Sequence, residues 1–274
     1  MRKHRISLPS TVLLVILIFF MMIPFLVLLI GAFKPNLSLI SIPIDLNPFG
    51  DLTFKNFELV FKRSDIWLWM QNSFILSVSV AALTAAISLT AGYAFARFRF
   101  PGRKLLFLTV MATMLMPKQI LLIPNYLVAY NLGLQNTMIG LILTSTAPAY
   151  GVFLARQYLV TMPQTLYEAA EIDGCGELAK FFRITLPLSF PAVGSVAIFA
   201  FFNTFNDYLW QLIMISDKKL KTLPIGIAMF SGAQNTNKGA QLAVGLISTV
   251  PLVIMFILFQ RFFIKGATDG AVKG

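Results

Sequence analysis

Five side chains able to hydrogen-bond or stack against a small solute recur at intervals of three and four residues in one stretch of the chain. They are Asn203, Asn206, Asp207, Trp210 and Gln211. This spacing predicts that they share one face of a helix. A polar group facing lipid costs on the order of several kcal/mol, so the face is predicted to look into the protein or a wet cavity. Two interpretations stay open: a hydrogen-bond cluster between helices, or contact with a polar solute or its gate, for which amides, a carboxylate and an indole form a plausible sugar-contacting set.

A second stretch, residues 168–187, reads EAAEIDGCGELAKFFRITLP and is the most acidic part of the chain. Four of the eleven acidic residues fall within ten positions, namely Glu168, Glu171, Asp173 and Glu177. Gly174 suits a turn, so a short helix, a turn and a second short helix over residues 177–183 are expected. Ala169 and Ala170 give the first helix a flat surface that another protein can approach closely. The pattern predicts a docking element.

The elements that position these residues must be membrane-spanning helices. A composition with 57% hydrophobic residues, 12% charged residues and 26 phenylalanines does not suit a water-facing surface. A span needs about 20 apolar residues, because no backbone group can stay unpaired in hydrocarbon. The third qualifying stretch is expected to break near Pro117. The six stretches that qualify are residues 11–33, 72–97, 105–130, 137–159, 191–215 and 241–264.

The second of these spans places small and weakly polar residues among alanines. Ser77, Thr84, Ser88 and Gly92 belong to this set. Small residues allow helices to approach closely, so helix association is predicted, with pore lining as the alternative.

The distribution of lysine and arginine predicts the orientation in the membrane. The termini and the even-numbered loops carry thirteen of the 22 basic residues, and the odd-numbered loops carry nine. Because basic residues favour the cytoplasmic side, both termini and residues 168–187 are predicted to be cytoplasmic. The last external loop, residues 216–239, is longer than a bare turn between adjacent helices, and its length suggests a function.

Several kinds of chemistry find little support in the sequence. One cysteine, Cys175, and one histidine, His4, exclude an intrachain disulfide and a cysteine-based metal cluster, and no metal site is predicted. The spans show no convergent set of paired acids or histidines, as an embedded enzyme would need. The net charge of +11 comes without a basic stripe among exposed aromatic residues, so nucleic acid is not an expected partner. No G-x-x-x-x-G-K-[ST] loop occurs, so the chain is not expected to bind ATP in that manner.

The acidic stretch resembles a known family signature. Its spacing is Glu-Ala-Ala, three residues, Gly, nine residues, Ile, one residue and Leu-Pro, met by Glu168, Ala169, Ala170, Gly174, Ile184, Leu186 and Pro187. This looks like the signature loop of ABC importer permeases. The resemblance covers essentially the whole chain and is closest to the maltose and multiple-sugar branch. Further matches to that branch lie at residues 116–126, 206–213, 222–227 and 260–274.

The resemblance implies an all-α membrane protein with the type I ABC importer permease fold. It implies six transmembrane helices and a cytoplasmic coupling helix in a single permease domain, residues 1–274, with the coupling loop at about residues 160–190. The subunit would be non-catalytic and form half of a heterodimeric pore with a second homologous permease. ATP and Mg would be bound by a dimer of cytoplasmic ATPase subunits, and an extracytoplasmic solute-binding protein would deliver the sugar. The implied location is the cytoplasmic (inner) membrane of a bacterium or archaeon.

The resemblance also assigns contact residues. It implies ATPase docking through Glu168, Ala169, Ala170, Glu171, Asp173, Gly174, Leu186 and Pro187. It implies a tail at the ATPase interface that includes Lys265, Gly266, Lys273 and Gly274. The external loop resembles one that enters the sugar site of the binding protein, here through Ser231, Gly232, Gln234, Asn235 and Asn237. A role for Asp207 is not part of the family pattern and rests on its spacing alone.

Two alternatives remain at this stage. A secondary transporter driven by an ion gradient would show inverted repeats and more ionisable residues within the spans than Asp207 and Lys118. Within ABC importers, the alternative substrate is a non-sugar solute such as glycerol phosphate.

Overall fold

The computed structural model describes residues 8–35, 47, 50–63, 65–230 and 237–271, and within these residues the chain is helical and holds no strand. The N-terminal half contains α1 (Leu8–Ala32), α2 (Lys55–Arg63), α3 (Ile66–Arg97), α4 (Arg103–Thr113), α5 (Leu122–Asn131) and α6 (Met138–Ser145). The C-terminal half contains α7 (Ala149–Val160), α8 (Thr165–Ile172), α9 (Glu177–Leu188), α10 (Phe190–Phe205), α11 (Leu209–Met214), α12 (Leu223–Phe230) and α13 (Lys238–Ala271). α9 includes a π-helical stretch, Phe181–Thr185.

By contacts the chain separates into two compact units. Unit 1 comprises Met1–Ile66 and Gly226–Leu252, and unit 2 comprises Trp67–Ile225 and Val253–Gly274. In unit 1, the buried amide of Asn56 donates to the carbonyl oxygens of Ala32 and Lys34, both at 2.8 Å. These bonds satisfy carbonyl groups at the C-terminal end of α1 that no further helical turn can pair.

Unit 2 contains two apolar clusters that share α3. One joins Leu76 and Val80 of α3 to Trp210 and Met214 of α11. The other is built around Tyr93 near the C-terminal end of α3, and it includes Leu89, Leu159 and Tyr167. The burial of apolar side chains on both halves of α3 makes this helix the scaffold of unit 2.

Glycines bring α3 and α7 into close contact. A Cβ atom added at Gly151 would lie 2.1 Å from the Ser88 hydroxyl oxygen, and one added at Gly92 would lie 2.7 Å from the Ala155 Cβ. No larger side chain fits at either glycine without a shift of the neighbouring helix. Helix association through small residues, as predicted for the second span, is confirmed at these positions.

The six predicted spans do not each correspond to one continuous helix in the structure. Within the described residues, three helices are long and apolar enough to cross a membrane, Pro9–Ala32, Ile66–Arg97 and Lys238–Phe259. Two bent pairs qualify when each is counted as one span: Met138–Ser145 with Ala149–Val160, bent by 49°, and Glu177–Leu188 with Phe190–Phe205, bent by 72°. The total therefore rises to at most five.

The remaining predicted span, residues 105–130, is two short helices. α4 ends at Thr113 and α5 begins at Leu122, with turns between them. The break near Pro117 is confirmed, since proline lacks the amide hydrogen that continues a helix.

Candidate functional site

Unit 2 encloses a cavity of about 620 Å³. Its wall takes residues from α3, α4, α5, α6, α7, α10 and α11, together with the connection between α4 and α5. This volume lies within the range of about 300–1,000 Å³ that small-molecule sites occupy. Among the predicted solute-contacting residues, the wall includes Asn203, Asp207 and Trp210, whereas Asn206 and Gln211 are not part of it.

The predicted fifth span breaks between α10 and α11, which corrects the expectation of one continuous helix face. α10 ends at Phe205, and α11 begins at Leu209. Asp207 lies in the break, where its Oδ1 accepts a bond from the Trp210 amide at 3.2 Å. Asn206 is exposed, and its amide donates back to the Phe202 carbonyl at 2.8 Å. The five side chains therefore do not share one helix face, because the helix that would align them stops before Asn206.

Gln211 belongs to the packing of unit 2. It is buried, its Nε2 donates to the Thr204 carbonyl at 2.6 Å, and its Oε1 accepts from the Thr222 hydroxyl. These bonds tie the break after α10 to the start of α12. Of the two interpretations that the sequence left open, the contacts of Gln211 match the hydrogen-bond cluster between helices and not a direct contact with a solute.

Trp210 is held in a similar way, although it reaches the cavity. Only 7% of its surface is exposed, and its indole Nε1 donates to the Thr144 hydroxyl at 3.0 Å. Trp210 belongs to the buried apolar cluster that includes Leu76 and Met214. The aromatic rings that the cavity exposes are instead those of Tyr150 and Phe199. They were not singled out in the sequence because an aromatic residue in an apolar span carries no pattern that separates it from core residues.

The stretch predicted to dock a partner forms a helical hairpin, the 165–188 segment, made of α8 and α9. Gly174 forms the turn with φ of +74°, a left-handed conformation that is unfavourable for residues with a Cβ atom. The predicted helix, turn and helix are therefore confirmed. The second helix was expected to end at Arg183. It instead continues through the π-helical stretch to Leu188.

Arg97, in the last turn of α3, fixes the 165–188 segment and the connection that precedes it. One terminal nitrogen donates to Gln164 Oε1 at 2.8 Å, and the other donates to the carbonyls of Leu159 at 2.9 Å and Met162 at 3.3 Å. Its guanidinium lies 3.8 Å from the centre of the Tyr167 ring. A planar fork of donors over an aromatic ring uses features that only arginine combines. In the sequence, Arg97 was only one of the basic residues counted for the orientation in the membrane, and no contact was predicted for it.

A second link between α3 and the segment runs through charged groups. The Lys180 side chain is 8% exposed, and its Nζ lies 3.1 Å from a carboxylate oxygen of Glu171 and 3.1 Å from one of Glu177. The other carboxylate oxygen of Glu177 accepts from the Tyr93 hydroxyl at 3.0 Å. The nearly buried ammonium group is thus compensated by two carboxylates, as a buried charge requires. Lys180 was counted in the sequence only as a loop charge.

The segment exposes both apolar and acidic side chains. Ile172 is 87% exposed and Leu178 is 76% exposed. Glu168 and Asp173 are exposed, and their carboxylates have no ion-pair partner within the described residues. Ile172 and Leu178 are therefore apolar side chains that the described residues leave uncovered. The sequence did not single them out, since isoleucine and leucine are common throughout the chain.

The other predicted docking residues divide between the outside and the inside of unit 2. Ala169 and Pro187 are exposed, whereas Ala170 is buried and Leu186 packs beside Tyr93 and Tyr167. The expectation that both alanines form the approach surface is therefore wrong for Ala170, whose small side chain allows α8 to pack closely on its own subunit.

The remaining predicted contact residues belong to two stretches of the sequence, residues 231–237 and 265–274. Ser231, Gly232, Gln234 and Asn235 lie outside the described residues, as do Lys273 and Gly274. Asn237 accepts a bond from the Ala240 amide at 2.9 Å and so caps α13. Lys265 and Gly266 lie within α13. Among the described residues, no group of three or more histidine, cysteine, aspartate and glutamate side chains is arranged to hold a metal ion.

Comparison with known proteins identifies close relatives over nearly the full length. The chain is 37% identical over 259 residues to the arabinooligosaccharides transport system permease protein AraQ of Halalkalibacterium halodurans, covering 93% of this chain and 92% of that protein. It is 30% identical over 275 residues to the sn-glycerol-3-phosphate transport system permease protein UgpE of Salmonella typhi, covering 97% and 98%. It is 30% identical over 274 residues to the diacetylchitobiose uptake system permease protein NgcG of Streptomyces coelicolor, covering 98% and 90%.

Solved structures share the fold. A chain of a bacterial ABC transporter involved in the import of the acidic polysaccharide alginate superposes with a TM-score of 0.82 at 21% identity, covering 96% of this chain and 98% of that chain. A chain of a bacterial alginate ABC transporter in complex with an alginate pentasaccharide-bound periplasmic protein gives a TM-score of 0.66 at 16% identity, covering 92% of each.

The description of the matching protein family is binding-protein-dependent transport system inner membrane component, and the match spans residues 88–268. It includes the cavity-lining part of α10 and the whole 165–188 segment. The resemblance to ABC importer permeases indicated by residues 168–187 is thereby confirmed. This chain belongs to the family of binding-protein-dependent transport system inner membrane components, the permeases of ABC transporters.

Proposed function

We propose that this chain is the permease subunit of an ATP-driven importer for sugars, with oligosaccharides as the favoured class. The support for this class comes from its similarity to permeases named for arabinooligosaccharides and diacetylchitobiose. A relative named for sn-glycerol-3-phosphate makes a phosphorylated polyol the second substrate to test. An ion-coupled secondary transporter is not favoured by the family.

In this proposal the 165–188 segment is the coupling element that docks into a cytoplasmic ATPase subunit. The observation that carries the proposal is the exposure of Ile172 and Leu178 on a hairpin that contacts α3 through the Tyr93 bond to Glu177 and through Arg97 over the Tyr167 ring. Burial of one such side chain contributes about 1.5–3 kcal/mol to association. Glu168 and Asp173 add charge to the segment, where basic side chains of a partner would be attracted.

Three contacts of α3 give the segment a way to transmit force: the Tyr93 bond to Glu177, the Arg97 contact with the Tyr167 ring, and the Arg97 bonds to the connection just before the segment. A movement of the ATPase surface displaces the segment, and the segment pulls on the C-terminal end of α3, a membrane-spanning helix. ATP and Mg are bound by the ATPase subunits, so the movement reaches this chain only through contact. Such coupling requires that the partner bind the inward and outward states with different affinity.

The remaining partners follow from the family. A second homologous permease completes the pore, and an extracytoplasmic solute-binding protein delivers the substrate to the side opposite the 165–188 segment. Both termini are cytoplasmic, and six crossings are completed if α4 and α5 together form one broken span. The loop before Asn237 faces the binding protein, and the tail after Lys265 faces the ATPase.

The docking surface can be tested with Ile172→Asp in the full complex, isolated through a tag on this chain. A carboxylate in the apolar contact removes the burial of isoleucine, so co-purification of the ATPase subunit is expected to fall about tenfold or more. Leu132→Asp provides the matched control, because Leu132 is also exposed, at 66%, and lies outside the segment. Equal ATPase recovery in the two variants would contradict the docking proposal.

A further inference from the structure

The cavity of unit 2 exposes a pair of aromatic rings from two helices. Tyr150 of α7 is 41% exposed, Phe199 of α10 is 48% exposed, and both belong to the cavity wall. Their ring centres lie 5.0 Å apart with an angle of 41° between the ring planes. Rings in mutual contact hold each other in place, so the pair offers a pre-formed apolar surface inside a cavity.

Polar groups lie on the same wall. Asn203 follows Phe199 by four residues on α10, which places the two on the same side of that helix, and Asn203 is exposed. Asp207 follows at the helix break, where the Trp210 amide holds its carboxylate. An amide and a carboxylate next to aromatic rings match a sugar ring, whose C–H faces are apolar and whose edge carries hydroxyl groups.

An unsatisfied buried group lies on the same wall. Thr84 of α3 is 4% exposed, and its hydroxyl has no hydrogen-bond partner in the described part of the chain. Leaving such a group unpaired costs about 1–3 kcal/mol. A ligand rich in hydroxyl groups that reaches this wall would supply the missing partner.

The charge of the wall selects among polar ligands. Its charged side chains are Lys118 and Asp207, one of each sign. Asp207 is fixed by the backbone of α11, whereas Lys118 is exposed on a long side chain. A phosphate or a uronate would need an excess of fixed positive charge, which this wall does not offer.

We infer that the cavity of this subunit is itself a binding subsite for an uncharged sugar ring, with Tyr150 and Phe199 as the stacking platform and Asn203 and Asp207 as hydroxyl partners. The inference rests on the proposed function. It states that this chain contacts the sugar directly, rather than the second permease making all the sugar contacts. Trp210 is not the stacking residue in this inference, because its side chain is buried and its indole nitrogen is bonded to Thr144.

Saturation-transfer NMR on the full complex in nanodiscs, without the binding protein, tests this subsite. The probes are arabinotriose, N,N′-diacetylchitobiose and sn-glycerol 3-phosphate at millimolar concentration. Transfer to ring protons of at least one of the two uncharged sugars is expected, with none to glycerol phosphate. In Tyr150→Leu and Phe199→Leu, which keep apolar bulk but remove the ring, the transfer is expected to fall about fivefold.

Ring-preserving and distant variants serve as controls. Tyr150→Phe and Phe199→Tyr are expected to retain the signal, and so is Tyr130→Leu, because Tyr130 stacks on Tyr126 outside the cavity wall. The inference is overturned by transfer to glycerol phosphate alone, by no transfer to either sugar, or by equal signals in the Leu and ring-preserving variants. Recovery of the ATPase is expected to be unchanged in these variants, so failure of the subsite and failure of the docking proposal are distinguishable.

Discussion

Replacing Arg97 with lysine tests whether the 165–188 segment acts on the membrane helices through α3. Arg97 donates to Gln164, Leu159 and Met162 and covers the Tyr167 ring. A lysine ammonium reaches one of these acceptors but cannot reproduce the planar fork. The change keeps the charge and the topology signal, so a defect reports the lost contacts.

The expected magnitude follows from those contacts. A hydrogen bond from a charged donor contributes about 1.5–3 kcal/mol, and the cation–π contact adds about 0.5–1 kcal/mol at a partly exposed site. Arg97 is partly exposed, so water replaces part of what is lost, and the net cost is about 2 kcal/mol. That corresponds to about a 30-fold shift in the equilibrium between the attached and detached states of residues 159–167 at the C-terminal end of α3.

The assay compares ATP hydrolysis with sugar uptake by the reconstituted complex. Arg97→Lys is expected to lower the uptake per ATP hydrolysed about tenfold, while the ATPase subunits still co-purify. Arg103→Lys is the matched control, since Arg103 is also partly exposed and donates to a single carbonyl, that of Phe98 at 2.9 Å. The reasoning is refuted if the two variants give the same ratio of uptake to hydrolysis.

Two further predictions concern the turn and the packing of unit 2. Gly174→Ala forces a residue with a Cβ atom into the left-handed region, which costs about 1–2 kcal/mol, and is expected to speed hydrogen exchange in α8 and α9. Gly176→Ala is the control: Gly176 has a φ of −70°, so this change is expected to leave the exchange rates unchanged. A comparable effect of the two alanines would count against a strained turn. Gln211→Leu removes the bonds to Thr204 and Thr222 and is expected to lower the free energy of unfolding by about 1–3 kcal/mol while leaving sugar binding unchanged. An unchanged free energy of unfolding would contradict a packing role for Gln211.

The sequence predicted most where the signal is local. Gly174 marks its turn because few other residues adopt positive φ, and Pro117 marks a helix break because proline has no amide hydrogen. The close approach of α3 and α7 was predictable from the small residues in the second span. The family motif identified the 165–188 segment because its spacing is specific.

The sequence failed where a contact joins residues distant along the chain. The three- and four-residue spacing from Asn203 to Gln211 predicted one face, yet the helix stops at Phe205 and Gln211 is bonded to Thr222. The i,i+3 spacing of Glu177 and Lys180 is a local pattern, but nothing in one sequence shows that Glu171 of α8 is the second partner of Lys180. Exposure is equally invisible, since Ile172 has the same composition signal as any buried isoleucine.

The most direct test of the account is ATP-dependent sugar import by the complete complex in proteoliposomes. The transporter contains this chain, its permease partner, the ATPase subunits and the solute-binding protein, and uptake of labelled arabinotriose and N,N′-diacetylchitobiose is followed. Uptake of at least one sugar is expected to require ATP inside the vesicles and to be lost in Ile172→Asp but not in Leu132→Asp. Uptake that continues without ATPase subunits and follows an imposed ion gradient would contradict the account.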